Sequence, residues 1–124
     1  MRVSLLIAAG LVLLLAVAHS YLGERYLLVR LLRRSDLPKL LGRVEFTKQT
    51  LRFAWHLTSI AWLGLASLIV VLASSPDGTQ LTQARLLSGV FGVSGAIALV
   101  ASHARHLSWV AFFAIAALVW FGYP

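Results

Sequence analysis

The sequence predicts an all-α membrane protein: four transmembrane helices in an antiparallel bundle, with an interfacial basic loop between helices 1 and 2. Three observations carry this expectation. Apolar residues make up 60 % of the 124-residue chain and charged residues 12 %, and the mean hydropathy is +0.86. A water-soluble domain of this length cannot hide so much apolar surface in one core, whereas lipid accepts it. The apolar residues also fall into four runs, close to the roughly 20 residues a helix needs to cross a bilayer. Finally, Lys and Arg are concentrated in one set of connections. A single domain over 1–124 is expected.

The first span is expected over Val3–Tyr21 and the second over Phe53–Ser74. The third is placed at Leu86–Ser102 and the fourth at Leu107–Tyr123. Arg2, the first apolar run and Ala16-Val17-Ala18 also read as a cleavable signal with an A-x-A site. The basic segment that follows opposes translocation, so the helix is expected to be retained.

The first connection, Gly23–Arg52, carries Arg25, Arg30, Arg33, Arg34, Lys39, Arg43, Lys48 and Arg52 against Glu24, Asp36 and Glu45. The second, Ser75–Gln80, is a Pro/Gly turn with no basic residue. The third, His103-Ala104-Arg105-His106, is tight. Nine of the eleven Lys and Arg residues lie on the side of connections one and three; Arg2 and Arg85 lie on the other. The positive-inside rule then places loop 23–52 in the cytoplasm and both termini in the periplasm of a bacterial inner membrane. Tyr21, Trp55 and Trp109 mark the inner interface in this frame, and Trp120 and Tyr123 the outer one.

Within the long loop, Tyr26–Arg34 is apolar and cationic, as expected of a helix at headgroup level. Asp36 is expected to cap a short helix over 37–41, with Pro38 in its first turn and Gly42 ending it. Anionic lipid is the expected partner of this loop, with a cytoplasmic protein as the alternative. The net charge of +7 is explained by topology, and no nucleic-acid partner is expected. Small residues, among them Gly89, Gly92 and Gly95, allow close helix packing within one chain or between chains. A homo-oligomer or a larger membrane complex is therefore left open.

Chemistry is hinted at by the histidines. In the expected topology His19, His56, His103 and His106 all fall in the cytoplasmic layer. Near them are Arg52, one turn before His56, and Arg105, Glu24, Ser20 and Ser59. Three chemistries are compatible with this set. Haem b would take two histidines, with Arg52 and Arg105 on its propionates. A single metal ion, zinc or copper, would take three or four imidazoles. A proton or quinone site would use His56, Arg52 and one carboxylate. The plainer reading is of helix-end histidines that make ordinary hydrogen bonds.

The absence of cysteine excludes disulfides, thiolate metal sites, iron–sulfur clusters and a cysteine nucleophile. No phosphate loop is present, and no nucleophile with a base and an orienting group at one depth is expected, so the reading leans away from an enzyme. The alternative to a binding protein is an accessory or scaffold subunit acting through its basic loop and small-residue faces.

The segment His56-Leu57-Thr58-Ser59-Ile60-Ala61-Trp62-Leu63-Gly64 resembles the first helix of CopD-type copper-resistance and related haem-linked membrane families, where a His precedes Trp-x-Gly by six residues. That resemblance implicates His56. The chain as a whole resembles small four-span inner-membrane proteins of Gram-negative bacteria, a likeness that implies location and no activity.

Overall fold

The structure, a computed structural model, describes residues 2–74 and 80–123. Among these residues it is all-α, 83 % helical and without strands. Helix α1 (Val3–Leu22) continues into a π-helical turn (Gly23–Leu28) and a short α2 (Val29–Leu31). Helices α3 (Val44–Ser74), α4 (Leu81–Ala101) and α5 (Ser108–Gly122) follow. The Pro/Gly turn expected after Ser74 falls on 75–79, outside the described residues.

Three rods, Val3–Leu31, Val44–Ser74 and Leu81–Ala101, are long and apolar enough to cross a membrane. That marks the chain as a membrane protein by length and composition. The fourth, α5, is apolar but has only 15 residues. At 1.5 Å per residue it is about 22 Å long, short of a hydrocarbon layer of about 30 Å. The surface agrees: Leu14 is 64 % exposed, Ile97 63 % and Phe121 81 %, while Ser59 and Ser88 are each 5 % exposed. Water-soluble proteins seldom show so many large apolar side chains outward and hydroxyls inward.

The helices overrun the expected apolar spans. Helix α3 begins nine residues before Phe53, because Glu45, Lys48, Gln49 and Arg52 are good helix formers on which a polar turn is built. A Lys48–Glu45 pair at 3.1 Å supports that turn. Helix α4 likewise starts at Leu81 rather than Leu86. Hydropathy reports where a helix meets lipid, not where its hydrogen bonds end.

The chain divides into two compact units, Leu13–Gly64 and Met1–Val12 with Leu65–Pro124. In the first, the expected interfacial helix over Tyr26–Arg34 is no separate element. Residues 26–31 prolong α1, with the Val29 N–H reaching back five residues to the Glu24 carbonyl. The short helix expected over 37–41 is not formed either. Pro38 lacks an N–H and disfavours helical backbone at Leu37, and Asp36 bonds Arg34 Nε at 2.8 Å instead of capping. Thr47 Oγ1 donates to the Pro38 carbonyl at 2.6 Å and accepts from Leu40 N–H at 3.0 Å, which holds the segment extended. The Arg43 N–H then closes on the Leu40 carbonyl at 3.1 Å. Leu41 and Gly42 between them both have positive φ, as in a type I′ turn. The Arg34 guanidinium beside Asp36 lowers its carboxyl to about 2. The ion pair is therefore intact above the ordinary carboxylate range and is lost only as pH falls through about 2.

In the second unit, α4 and α5 pack with their partners in opposite order. Arg85 stacks on Trp120 at 3.8 Å, Ser88 Oγ donates to the Ala116 carbonyl at 2.8 Å, and Phe91 meets Phe112 at 6.3 Å. Gly95 admits the Phe113 ring, which would lie 3.1 Å from an added Cβ. Arg2 stacks on the buried Tyr123 at 3.8 Å. Arg2 and Arg85, the two basic residues outside the first and third connections, are thus both held by cation–π contacts. Helix α4 ends through His103 and Ala104, both at positive φ, with Ala104 N–H on the Leu99 carbonyl at 2.9 Å.

Gly95→Val is expected to destabilise the folded protein by about 1–3 kcal/mol through the Phe113 ring. Gly92→Val, whose Cβ would meet nothing within 4 Å, should stay within about 0.5 kcal/mol. Thermal unfolding of the two variants in detergent checks the contrast.

Candidate functional site

The unit Leu13–Gly64 gathers one polar cluster, and it is built from helical spacing. Ser20 and Glu24 are four apart at the end of α1 and the start of the π turn; Arg52 and His56 are four apart on α3, with Ser59 three further on. Each set therefore lies on one helix face. The two faces meet. Ser20 Oγ is 2.8 Å from His56 Nδ1 and 3.1 Å from Ser59 Oγ. His56 Nε2 is 3.2 Å from Glu24 Oε2, and Arg52 Nη2 is 2.9 Å from Glu24 Oε1. Exposure falls through the cluster, from Arg52 at 52 % to His56 at 37 % and Glu24 at 33 %, whereas Ser59 is buried. Beyond the serines lies an open groove of about 200 Å³ with apolar walls from Ala16, Val17, Ile60 and Leu63.

A second contact beside the cluster fixes the register. The Trp55 indole donates to the His19 carbonyl at 3.0 Å. The His19 ring lies flat on Trp55 at 4.3 Å and 5°, and tilts against Trp62 at 5.0 Å. Gly23 makes room for this: a Cβ there would collide with the Trp55 indole nitrogen. The π turn opens at that same glycine. Such turns insert one residue into a helix and are frequent at functional sites.

The hydrogen bonds of His56 balance in two protonation states. In the neutral form Nε2–H donates to Glu24, and the Ser20 hydroxyl donates to Nδ1. In the protonated form both ring N–H groups donate, to Glu24 and to Ser20, and the Ser20 hydroxyl turns to Ser59. Neither state leaves a ring nitrogen unbonded. The series Ser20–His56–Glu24 also supplies a hydroxyl, a base and an orienting carboxylate within reach, a set that the sequence was expected to lack. It is not arranged for acyl transfer. Ser20 lies inside α1, whose backbone N–H groups are spent on the helix itself, so that backbone offers no pair of donors to a developing oxyanion.

The four histidines divide between the two units. His19 and His56 belong to one unit, His103 and His106 to the other. His103 is exposed on the left-handed turn ending α4. His106 Nδ1 accepts from the Ser108 hydroxyl at 2.8 Å and from Ser108 N–H at 3.3 Å, at the head of α5. Among the described residues no group of three or more His, Cys, Asp or Glu is placed to hold a metal ion. The expectation of a metal on His19, His56, His103 and His106 is therefore not supported. Haem b is not supported either: among the described residues both His56 nitrogens are engaged, and Arg52 pairs with Glu24 rather than standing ready for a propionate. Arg105 is exposed in the other unit. No protein-family model, curated protein or solved structure matches this chain.

Sequence reading named His56, Arg52, Glu24, Ser20 and Ser59 but missed Gly23 and the part played by Trp55. Its available signal was a glycine beside a glutamate just past an apolar run, facing a helix with Arg-x-x-Trp-His. Gly23→Ala is expected to unseat the indole and cost about 1–3 kcal/mol through overpacking. The Gly23→Ala/Trp55→Ala pair should cost less than the sum of its single variants. Tryptophan emission and thermal unfolding read both effects.

Proposed function

We propose that this chain is a multi-pass inner-membrane protein, with its basic loop cytoplasmic, whose cluster around His56 exchanges a proton at the cytoplasmic edge of the bilayer. In this reading Glu24 and Arg52 form the wet end of the path and Ser20 and Ser59 the dry end. A lipid-soluble ligand or a partner helix in the groove along Ala16 and Ile60 would receive or supply the proton. The observation that carries the reading is the double engagement of His56, by a carboxylate that can only accept and a hydroxyl that can do either. Adding or removing one proton then needs two hydroxyl rotors to turn and no contact to break. Ionisable groups at this depth are costly and are retained for such work, and imidazole is the side chain that changes charge near neutral pH.

A second reading, an accessory subunit acting through small-residue faces, is favoured by Gly89 and Gly92. A Cβ at either position would meet nothing within 4 Å, so these glycines are not explained by packing within the described chain.

Nitrogen-15 NMR of the protein in lipid, with histidine labelled, separates the two readings. Proton exchange calls for a His56 ring that takes up and releases a proton reversibly while both ring nitrogens stay hydrogen-bonded. A His56 ring that keeps one charge state from pH 5 to 9 would leave the cluster as helix glue and favour the accessory reading.

A further inference from the structure

We propose that a second site in the same unit, between α2 and the head of α3, binds the phosphate headgroup of one anionic phospholipid. The proposal rests on the membrane reading above and is independent of proton exchange at His56. A pocket of about 420 Å³ lies there, lined by Val29, Leu32 and Arg33 on one side and by Glu45, Lys48, Gln49 and Arg52 on the other. Three cations face one carboxylate. Glu45 is occupied by Lys48 at 3.1 Å, Arg52 is shared with Glu24 at 2.9 Å, and Arg33 makes no ion pair among the described residues. The pocket thus carries surplus positive charge in a concavity, where a phosphate gains more than on an open surface.

The apolar surroundings favour a lipid over a free anion. Val29 and Leu32 form a hydrocarbon wall beside the cations. From Gln49 in the pocket, the helix stripe continues through Phe53, Leu57 and Ile60 at intervals of four, four and three, so these residues share one face. Phe53 is 65 % exposed and Ile60 62 %. A headgroup held by Arg33, Lys48 and Arg52 would leave its acyl chains lying along that stripe, which a free phosphate would not use.

Arg52 links this pocket to the His56 cluster. It lines the pocket and pairs with Glu24, so a bound phosphate competes with Glu24 for its guanidinium. Linkage makes the competition reciprocal: releasing Arg52 from Glu24 tightens the lipid, and bound lipid leaves Glu24 less neutralised beside His56.

Native mass spectrometry of the full chain in detergent tests this with phosphatidylglycerol, phosphatidylcholine and inorganic phosphate as probes. One phosphatidylglycerol is expected to bind, about tenfold tighter than phosphatidylcholine, and to resist an equal concentration of inorganic phosphate. Arg33→Ala and Lys48→Ala should each weaken it about fivefold, with helix content by circular dichroism unchanged. Arg105→Ala should leave it unaltered, and Glu24→Gln should strengthen it. Equal affinity for phosphatidylcholine overturns the proposal. So does an Arg105→Ala loss as large as that of Arg33→Ala, which would mean diffuse charge. Displacement by inorganic phosphate would make the pocket an anion site and overturn the lipid assignment. His56→Ala is expected to keep the lipid preference, so failure here and failure of the proton reading are distinguishable.

Discussion

Much of the unit Leu13–Gly64 depends on one imidazole that must be bonded at both ends. His56 lies where the chain turns from charged to apolar, a depth at which an unpaired polar group is expensive. Glu24 and Ser20 answer its two nitrogens from one helix face, and this sets both the rotation and the longitudinal register of α3 against the end of α1. A shift of one residue along either helix would break both bonds together. Trp55 adds a third point, its indole on the His19 carbonyl, and Gly23 exists in this position to admit it. The π turn begins where that approach is closest.

The same arrangement explains why Arg52 is neither a plain topology signal nor a spare cation. It neutralises Glu24 and borders the basic pocket beside α2. Charge in the loop is thus divided. Arg34 and Asp36 form an exposed pair of small energetic consequence, while Arg33, Lys48 and Arg52 are gathered around a concavity. Composition alone treats all of these as equivalent.

Much of the fold was legible in the sequence. Apolar length marks the spans because lipid contact is a one-dimensional property of the chain. The ends were not legible: Glu45, Lys48 and Gln49 continue α3 well outside the apolar run, since helix propensity does not stop at the headgroups. The stretch 37–41 was misread because Asp36 looks like a cap until Arg34 claims it and Thr47 ties down Pro38 and Leu40. For the site, residue types and spacing on each helix were readable, but the pairing was not, because helix rotation leaves no trace in a single chain. Counting four histidines at one depth therefore suggested a shared ligand, whereas three of them have local partners, His19 in Trp55, His56 in Ser20 and Glu24, and His106 in Ser108.

The central claim is that Glu24 and His56 act as one unit across two helices. A double-mutant cycle measures it directly: unfolding free energies of the parent, Glu24→Gln, His56→Gln and the double variant, in the same detergent. The account expects a coupling of about 0.5–3 kcal/mol, the range for residues sharing one hydrogen-bond network. Strict additivity of the two substitutions would contradict it.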